Sequence, residues 1–492
     1  MLPEQLQAAR NALQHRRTKI VATIGPASSS PGALEDLIEA GVDVFRLNFS
    51  HGSHEGHATV YEAIRAAAER TGRHVAILAD LCGPKIRTGR FAHGGIDLDD
   101  GATVTITTRD VTGQPGLIPT EYEDLARDVK PGDRILMNDG NLAVEVLNVH
   151  DTEVECRVLA GGRLSDRKGI NLPGVTISTP SFTTKDRADA RFAIGLGVDF
   201  VALSFVRTAA DVGEVKRLVH ELGKGTPVIA KIEKPEALEH ITEILQIADG
   251  IMVARGDLGV EMAAEEVPII QRELTRLAIE QNRIVIVATQ MLESMIDNPR
   301  PTRAEVTDVA WASMAGADAV MLSGETAVGA HPVEAVKTMA RILRLVEGSQ
   351  FSQDRFEHLV RHDSVAGDEL TVDLQLTEAI SRAASHLSRE LSARAIVVRS
   401  FTGHTAQMIS AERPAAPILA ITADPATARR LALCWGVMPQ VIAVDALADP
   451  VQLAPRLVRD VLLARPGQFV MLVSGGQTEQ ERSAPGIQIL LS

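Results

Sequence analysis

Eight short apolar runs recur in the first part of the chain, each followed by a stretch with the pattern of a helix. Within each run the apolar residues are consecutive, which is typical of parallel strands covered on both faces. Eight strand–helix units predict an α/β fold with a closed (β/α)8 barrel, whose functional groups lie at the carboxyl ends of the strands. The runs are 19–25, 42–49, 74–81, 200–206, 227–232, 250–254, 284–289 and 319–323.

The long gap between the third and fourth runs predicts an inserted domain. Its stretches 102–108, 134–137, 142–149 and 153–159 alternate apolar and polar residues, with turn sequences such as Asn138-Asp139-Gly140. This pattern predicts a small β-barrel domain that is inserted in a barrel loop and acts as a lid over the catalytic face.

A second α/β pattern follows the barrel. Strand-like runs at 395–399, 417–421, 440–444, 469–473 and 487–491 alternate with helical stretches, and the barrel already has its eight strands. We therefore expect a separate C-terminal α/β domain. The predicted boundaries are 1–87 and 185–350 for the barrel, 88–184 for the lid and 351–492 for a C-terminal regulatory domain.

Charge narrows the class of partner. The 492 residues carry 50 Lys and Arg against 64 Asp and Glu, so the net charge is −14. Proteins that bind nucleic acid or anionic membranes carry the opposite surplus, so neither partner is expected. An anionic substrate must instead be bound by a local group of positive side chains.

Cysteine usage and the first residues indicate the compartment. The three cysteines, Cys82, Cys156 and Cys434, have no metal-like spacing and leave one unpaired, which argues against a zinc site or a disulfide scaffold. Residues 1–17 lack the apolar core of a signal peptide, and no run of about 20 apolar residues occurs. We therefore expect a reduced, cytoplasmic protein.

Polar and charged residues follow six of the eight predicted strands. A charged residue at one strand end is usually just solvated, but six such ends converge on the same rim of a barrel, which indicates a functional site. The segments are 46–52, 80–87, 231–233, 255–259, 289–293 and 323–326.

The residue types at this rim indicate phosphate chemistry. Glu233 and Asp257 are hard oxygen ligands suited to Mg²⁺. Positive charge for a phosphate comes from a set of basic residues, and Gly256 allows close approach of backbone N–H groups. These basic residues are Arg46, Lys85, Arg87 and Lys231.

Two hydroxyl residues complete the rim. Thr289 and Ser323 follow the seventh and eighth runs and are able to relay a proton. Magnesium, phosphate and proton relay together suggest phosphoryl transfer coupled to protonation of carbon.

Several motifs in chain order resemble the pyruvate kinase family over nearly the whole chain. They are TKIVATIGPAS, FRLNFSHG, DLCGPKIRTG, KGINLPG, AKIEKPEAL, MVARGDLGVE, ATQMLESMI, PTRAEVTDVA and MLSGETAVG. The resemblance implies conversion of phosphoenolpyruvate and ADP to pyruvate and ATP, the last step of glycolysis. It also implies Mg²⁺, with Mn²⁺ able to substitute, and a homotetramer.

The resemblance assigns roles to the rim residues. Arg46 and Lys231 would bind the phosphate of phosphoenolpyruvate, with Mg²⁺ on Glu233 and Asp257. The substrate carboxylate would lie against Gly256, Asp257 and the hydroxyl of Thr289. Lys231 would stabilise the enolate, which takes up a proton through water near Thr289 and Ser323, and the final donor is left open. The residues implied for the nucleotide are Asn48, Phe49, Ser50, His51, Arg87 and Lys168.

One departure from the family concerns its monovalent cation. The family's K⁺ ligands match Asn48, Ser50 and Asp80, but Lys85 stands where the family has glutamate. This exchange changes the local charge by two units and supplies an ammonium in place of K⁺, so we expect an enzyme that needs no K⁺. In the alternative, Lys85 points into solvent and the K⁺ site survives.

The C-terminal domain contains a second candidate site for a phosphorylated sugar or nucleotide effector. The alternative is an ordinary helix cap. The family's fructose-bisphosphate loop is not evident at residues 475–480, so that effector is in doubt. The residues expected to bind the phosphate are Ser400, Thr402, Gly403, His404 and Thr405.

Two other functions compete with this interpretation. Another barrel enzyme of phosphoenolpyruvate, such as a carboxylating, dikinase or aldolase-type lyase, would explain Mg²⁺ and phosphate but not a lid that contributes Lys168. An inactive sensor that uses only the C-terminal site would not need Lys231, Glu233 and Asp257.

Overall fold

The computed structural model describes residues 15–352, 372–474 and 486–492 of the chain. Its strands form a closed barrel, an inserted β domain and a C-terminal sheet. The strands are β1 (Lys19–Thr23), β2 (Val44–Asn48), β3 (Ala76–Asp80), β4 (Gly95–Leu98), β5 (Thr103–Thr107), β6 (Leu117–Pro119), β7 (Arg134–Met137), β8 (Leu142–His150), β9 (Glu153–Ala160), β10 (Gly162–Ser165), β11 (Ile170–Asn171), β12 (Phe200–Leu203), β13 (Val228–Ile232), β14 (Gly250–Ala254), β15 (Ile284–Ala288), β16 (Ala319–Leu322), β17 (Ile396–Arg399), β18 (Ile418–Thr422), β19 (Val437–Val441), β20 (Phe469–Ser474) and β21 (Gly486–Leu491).

Helices connect most of these strands, and 3₁₀ turns occur at Glu293–Ile296 and Val444–Ala448. Within the described ranges, no helix combines the length and apolar character needed to cross a bilayer. The helices are α1 (Pro31–Ala40), α2 (His54–Thr71), α3 (Leu125–Asp128), α4 (Thr184–Leu196), α5 (Ala209–Glu221), α6 (Pro235–Glu239), α7 (Ile241–Ile247), α8 (Arg255–Glu261), α9 (Val267–Glu280), α10 (Arg303–Met314), α11 (Gly324–Ala327), α12 (Pro332–Ser352), α13 (Val372–Glu390), α14 (His404–Ala411), α15 (Pro425–Leu431) and α16 (Pro450–Asp460).

The eight predicted barrel strands are confirmed. They pair in parallel in the order β1-β16-β15-β14-β13-β12-β3-β2, and β2 closes back on β1. Both faces of each strand are buried, as the continuous apolar runs predict. In β15, Val285 and Val287 pack with the surrounding helices, whereas Ile286 and Ala288 join the core on the other face.

A capping box fixes the start of α4 next to the barrel rim. The Thr183 hydroxyl accepts a hydrogen bond from Asp186 N at 3.1 Å, and Asp186 Oδ2 accepts one from Thr183 N at 3.1 Å. The second carboxylate oxygen of Asp186 accepts a bond from Gly83 N at 3.0 Å. One buried side chain therefore both starts a helix and holds the loop that leads into the inserted domain.

The inserted domain is all β, as predicted. Six strands form a curled sheet in the order β11-β7-β8-β9-β5-β6, and β4 pairs with β10. The four alternating runs correspond to β5, β7, β8 and β9, whereas β4, β6, β10 and β11, of two to four residues each, were not predicted. Asn171 Nδ2 donates to Glu261 Oε1 of the barrel at 2.9 Å and joins the two domains. The numerical domain boundaries stay predictions.

The C-terminal domain has a five-stranded sheet in the order β19-β18-β17-β20-β21. The first four strands are parallel and β21 runs antiparallel to β20. Four of the five predicted strands are confirmed, but the prediction of a strand over 440–444 is wrong, because the strand is Val437–Val441 and Val444 begins a 3₁₀ turn. Pro439 lies inside β19, where an edge strand tolerates a missing N–H.

The C-terminal domain is attached to the amino-terminal end of the barrel by charged side chains. Lys19 Nζ donates to the first carbonyl of β19 at 2.6 Å. Arg413 forms a buried ion pair with Asp318 at 3.0 Å, and Arg429 pairs with Asp199 at 2.8 Å. The opposite end of the barrel, where the polar rim lies, stays accessible to the inserted domain.

Candidate active site

A buried lysine is at the centre of the polar rim. Lys231, at the end of β13, is 9% exposed. Its Nζ donates to Ser204 Oγ at 2.7 Å and lies 2.9 Å from Glu233 Oε1 and 3.2 Å from Asp80 Oδ1. The contact with Ser204 is a hydrogen bond, whereas those with Glu233 and Asp80 are ion pairs, and the buried Asp80 Oδ1 accepts no hydrogen bond from the described residues.

The charges around Lys231 stabilise its ionised form. Burial acts to lower the pKa of Lys231, but the carboxylates of Asp80 and Glu233 outweigh burial and raise that pKa above its usual range. Burial acts to raise the pKa of Asp80, and the cations of Lys231 and Arg46 hold it below its usual range instead. The site therefore holds a permanent ammonium beside a permanent carboxylate.

Arg46 binds the same aspartate from the other side. Its Nε donates to Asp80 Oδ2 at 2.6 Å, and its Nη1 donates to Thr23 Oγ1 at 3.1 Å. Thr23 ends β1, Arg46 lies in β2 and Asp80 ends β3. Three adjacent strands therefore fix the guanidinium, which is a favourable group for binding phosphate.

Glu233 and Asp257 are suited to a divalent cation. Glu233 Oε2 accepts a hydrogen bond from Phe205 N at 2.7 Å. Burial and the negative charge of Asp257 raise the pKa of Glu233, although Lys231 opposes the rise. A cation between the two carboxylates would remove this repulsion. Mg²⁺ usually keeps several water or substrate oxygens as ligands, so a cation here would need only these two carboxylates from the protein.

Thr289 and Gly256 are in direct contact across two strands. Thr289 Oγ1 accepts a hydrogen bond from Gly256 N at 2.7 Å and donates to Ala288 O at 2.6 Å. A Cβ on residue 256 would lie 3.3 Å from Thr289 Oγ1, so a larger residue would crowd the hydroxyl. The segments after β14 and β15 thus meet, as the rim prediction requires.

Ser323 joins this group through its backbone. Its N–H donates to Glu325 Oε2 at 2.6 Å, and Leu292 N donates to Glu325 Oε1 at 3.1 Å. Glu325, 2% exposed, therefore ties the loop after β15 to the loop after β16. The hydroxyls of Thr289 and Ser323 project from these two connected loops.

The segment after β2 is held by short-range contacts. Asn48 Oδ1 accepts a hydrogen bond from Ser50 N at 3.1 Å, and His57 Nε2 lies 2.9 Å from His51 O. The rings of Phe49 and His57 stack with centroids 4.2 Å apart. Residues 48–51, four of the six residues predicted to bind nucleotide, thus form a turn on the rim that these contacts hold in place.

Several predicted cations surround His51. Burial lowers the pKa of His51, and the positive charges of Arg87, Lys85 and Arg46 lower it further. A neutral imidazole beside three cations is a favourable environment for an anionic ligand.

Lys168 lies beside Arg87 at the base of the inserted domain. Thr88 N donates to Lys168 O at 2.8 Å, and Lys168 N donates back to Thr88 Oγ1 at 2.9 Å. Arg87 forms a backbone bridge with Gly169. The two predicted nucleotide contacts are therefore adjacent on paired segments.

Lys85 lines a cleft between the inserted domain and the barrel. The cleft is also lined by Asp257, Lys234 and Glu261. The Lys85 side chain is 33% exposed, and its Nζ lies 3.9 Å from Asp257 Oδ1. The ammonium thus faces the carboxylate that we assign to the metal.

The loop before α14 is held by hydrogen bonds between its own hydroxyl side chains and its own backbone N–H groups. Ser400 Oγ accepts a hydrogen bond from Gly403 N at 3.1 Å, and Thr402 Oγ1 accepts one from His404 N at 3.5 Å. Gly403 has φ 92°, a conformation that favours glycine. Together with Thr405 this loop lies on the C-terminal domain, separate from the rim, and residues 475–480 lie outside the described residues.

Sequence reasoning missed several residues at the rim. Thr23 ends β1 and Ser204 directly follows β12, and no site residue was assigned to these two strands. Arg255, which begins α8, donates to Thr289 O at 2.6 Å and to Asp308 Oδ1 at 2.6 Å. A hydroxyl residue near the end of a buried run was the available signal for Thr23 and Ser204, whereas Arg255 had no signal beyond its place in the rim segment.

The fold and the site together define a class. A closed barrel with an inserted β domain, a C-terminal α/β domain and a charged cluster at the carboxyl rim is a multidomain (β/α)8-barrel enzyme. The family model described as pyruvate kinase, barrel domain, matches residues 15–336, and the model described as pyruvate kinase, alpha/beta domain, matches residues 378–490. The chain belongs to the pyruvate kinase family, which is a family of phosphotransferases.

Curated relatives agree over nearly the full length. The chain is 45% identical over 479 residues to a pyruvate kinase from Corynebacterium glutamicum, with 96% of this chain and 95% of the relative covered. It is 43% identical over 464 residues to a pyruvate kinase from Mycobacterium tuberculosis, with 94% of this chain and 95% of the relative covered. A pyruvate kinase from Geobacillus stearothermophilus is 46% identical over 468 residues, with 94% of this chain and 78% of the relative covered.

Proposed function

We propose that this chain transfers the phosphoryl group of phosphoenolpyruvate to ADP, giving pyruvate and ATP in the last step of glycolysis. The observation that carries the proposal is the buried ammonium of Lys231 between Asp80, Glu233 and Ser204 at the barrel rim. The names of the curated relatives support the same reaction.

Arg46 and Lys231 bind the phosphate of phosphoenolpyruvate. Both cations contact Asp80 from opposite sides, so a phosphate above this carboxylate meets two donors at once. Glu233 and Asp257 hold Mg²⁺, for which Mn²⁺ substitutes. When bound, the metal neutralises negative charge on the phosphate and the enolate oxygen.

The substrate carboxylate lies against the start of α8. Asp257 offers its backbone N–H there, whereas Gly256 N–H and the Thr289 hydroxyl exchange their present bonds, to Thr289 Oγ1 and to Ala288 O, for the carboxylate when it binds. Since Gly256 has no side chain, the carboxylate approaches the backbone closely. This contact orients the methylene carbon toward the loops that carry Thr289 and Ser323.

ADP binds between the rim and the inserted domain. Residues 48–51, Arg87 and Lys168 contact its phosphates, and the cations near His51 supply the necessary charge. The terminal oxygen of ADP attacks phosphorus in line, the bond from phosphorus to the enol oxygen breaks, and an enolate remains. The inserted domain closes through hinges near Arg87 and Thr184, and this closure excludes water.

Lys231 then stabilises the enolate oxygen. Its pKa stays raised, so the ammonium is fully charged when negative charge develops nearby. The methylene carbon of the enolate takes up a proton through water held near Thr289 and Ser323, which gives pyruvate.

Lys85 replaces the monovalent cation of the family. Its ammonium faces Asp257 in the cleft, and its charge acts together with Arg87 and Arg46 on His51, which directly follows Ser50 in the segment that matches K⁺ ligands at Asn48 and Ser50, the third match being Asp80. On this basis the enzyme needs no K⁺.

Regulation and assembly follow the family pattern in this proposal. A phosphorylated sugar or nucleotide binds the loop that contains Ser400, Thr402, Gly403, His404 and Thr405. The chain forms a cytoplasmic homotetramer, and apolar side chains exposed on α9 and α10 support an interface there. These side chains are Ile269, Val306, Trp311 and Met314.

One assay tests the central proposal. Purified protein is mixed with phosphoenolpyruvate, ADP and Mg²⁺, and pyruvate is followed by coupled reduction while ATP is measured separately. Equal amounts of ATP and pyruvate are expected. Pyruvate or an oxoacid formed without ATP would favour a lyase or another phosphoenolpyruvate enzyme, and no turnover under any effector would favour an inactive sensor.

A further inference from the structure

Arg255 contacts three elements around the active-site threonine. Its Nη2 donates to Thr289 O at 2.6 Å, its Nε donates to Ala288 O at 3.3 Å, and its Nη1 donates to Asp308 Oδ1 at 2.6 Å. The Arg255 side chain is 11% exposed. A guanidinium so enclosed, with bonds to two successive carbonyls, fixes the orientation of the peptide between them.

That peptide has an unusual conformation. Thr289 has φ 68° and Gln290 has φ 53°, so two successive residues occupy the left-handed region. A β-branched residue rarely adopts this region, because its side chain crowds the backbone. The turn directs the Thr289 carbonyl to Arg255 and the Thr289 hydroxyl to Gly256 N. The surrounding contacts must therefore hold the conformation in place.

We propose that Arg255 is a positioning residue that holds Thr289 in its left-handed conformation and thereby sets the place of its hydroxyl. Asp308 of α10 anchors the guanidinium through Nη1, the nitrogen that binds neither of the two carbonyls. The inference rests on the proposed function, in which Thr289 contacts the substrate carboxylate and serves protonation of the enolate. Arg255 acts on both only through Thr289.

The planar fork of arginine is essential to this role. Lysine has one nitrogen and cannot bind two carbonyls and a carboxylate in fixed directions. Arg255→Lys keeps the positive charge but loses the geometry. We expect kcat to fall about 10²-fold, the size of effect that a small misplacement of a catalytic group produces. The KM for ADP is expected to stay unchanged, because the nucleotide contacts lie elsewhere.

A double-mutant cycle tests whether Arg255 acts through Thr289. Arg255→Lys, Thr289→Ala and the double variant are compared with the wild type in kcat and in exchange of the pyruvate methyl protons with solvent deuterium, which reports protonation alone. If the proposal is right, the double variant is within about twofold of Thr289→Ala in both measurements. Losses that multiply, or wild-type kcat in Arg255→Lys, would overturn it.

Two further variants complete the design. Arg276→Lys, on an exposed ion pair of α9, is the matched control and should keep wild-type kcat. If Arg255→Lys does not fold, Asp308→Asn replaces it in the same cycle, and its kcat is expected to be about tenfold below that of the wild type. The cycle is scored relative to wild-type turnover. A wild type that makes no ATP rejects the proposed function, whereas multiplicative losses in an active enzyme reject the role of Arg255.

Discussion

Lys231 Nζ lies 3.2 Å from Asp80 Oδ1, and Asp80 uses its other carboxylate oxygen to bind Arg46 Nε at 2.6 Å. One buried carboxylate thus holds together the two cations that we assign to the substrate phosphate. Without Asp80 these cations would repel each other at this separation. Asp80 therefore keeps the phosphate site assembled before substrate arrives.

Replacement of Lys231 by methionine should affect both activity and stability. Turnover is expected to fall at least ~10²-fold, because the enolate loses its ammonium donor. The free energy of unfolding should also fall by ~3–5 kcal/mol, since Asp80 and Glu233 lose a buried partner. Steady-state kinetics and urea denaturation measure the two effects. Lys337→Met, on an exposed part of α12, is the control, and a Lys231 variant with normal turnover would contradict the mechanism.

Asp80 should make the fold sensitive to acid. Lys231 and Arg46 hold the folded-state pKa of Asp80 below its ordinary value of 3.8. Its contribution to stability is thus present above pH 3.8 and is lost as the pH falls through the lowered folded-state pKa. As the pH is lowered, the Tm of Asp80→Asn should fall less steeply than that of the wild type. The side chain of Asp97 is 73% exposed, so the Tm of Asp97→Asn should fall as steeply as that of the wild type. Parallel Tm curves for wild type and Asp80→Asn would refute this assignment.

Lys85 should decide the response to potassium. The wild type is expected to reach full turnover in K⁺-free buffer, because the ammonium supplies the charge of K⁺. Lys85→Glu should create a requirement, with stimulation by KCl of at least about tenfold, or ~1.4 kcal/mol in the activation free energy. Lys130→Glu, an exposed lysine of the inserted domain, is the control. Strong stimulation of the wild type by added K⁺ would be the contrary result.

A negative charge in the loop before α14 should abolish activation. Sugar monophosphates and AMP are titrated at low phosphoenolpyruvate, and at least one is expected to raise the rate. Thr402→Glu should raise its half-activating concentration at least about tenfold, since like charges in contact cost several kcal/mol. Turnover at saturating phosphoenolpyruvate should not change. Thr152→Glu in the inserted domain is the control, and an unchanged response in Thr402→Glu would place the effector elsewhere.

The cysteines should differ in reactivity. Burial raises the pKa of Cys156 and of Cys434 each to about 12, whereas Cys82 is partly exposed at the rim. A thiol reagent at neutral pH should therefore modify one cysteine in the native protein and three in denaturant. Cys82→Ser should leave none reactive in the native state. Modification of two or more native thiols would show that a buried core opens.

The barrel was predictable because each of its strands is buried on both faces, and burial leaves continuous apolar runs in the sequence. The sequence places Lys231, Glu233 and Asp257 on the rim because each lies within three residues of the end of such a run. The partners of Arg255 were not, since Thr289 and Asp308 lie 34 and 53 residues further along the chain. Only the folded barrel brings these three side chains together. The position of β19 was missed because Pro439 looks like a strand breaker, although an edge strand accepts it.

The attachment of the C-terminal domain has a mechanical consequence. Asp199, which binds Arg429 of that domain, directly precedes β12, and Ser204, which accepts a hydrogen bond from Lys231, directly follows it. The two residues are therefore separated by one span of extended chain, about 16 Å. A movement of the C-terminal domain that displaces Asp199 is therefore passed along the backbone of β12 to Ser204 and so to the ammonium of Lys231. No series of side-chain contacts is needed between the two ends of this strand.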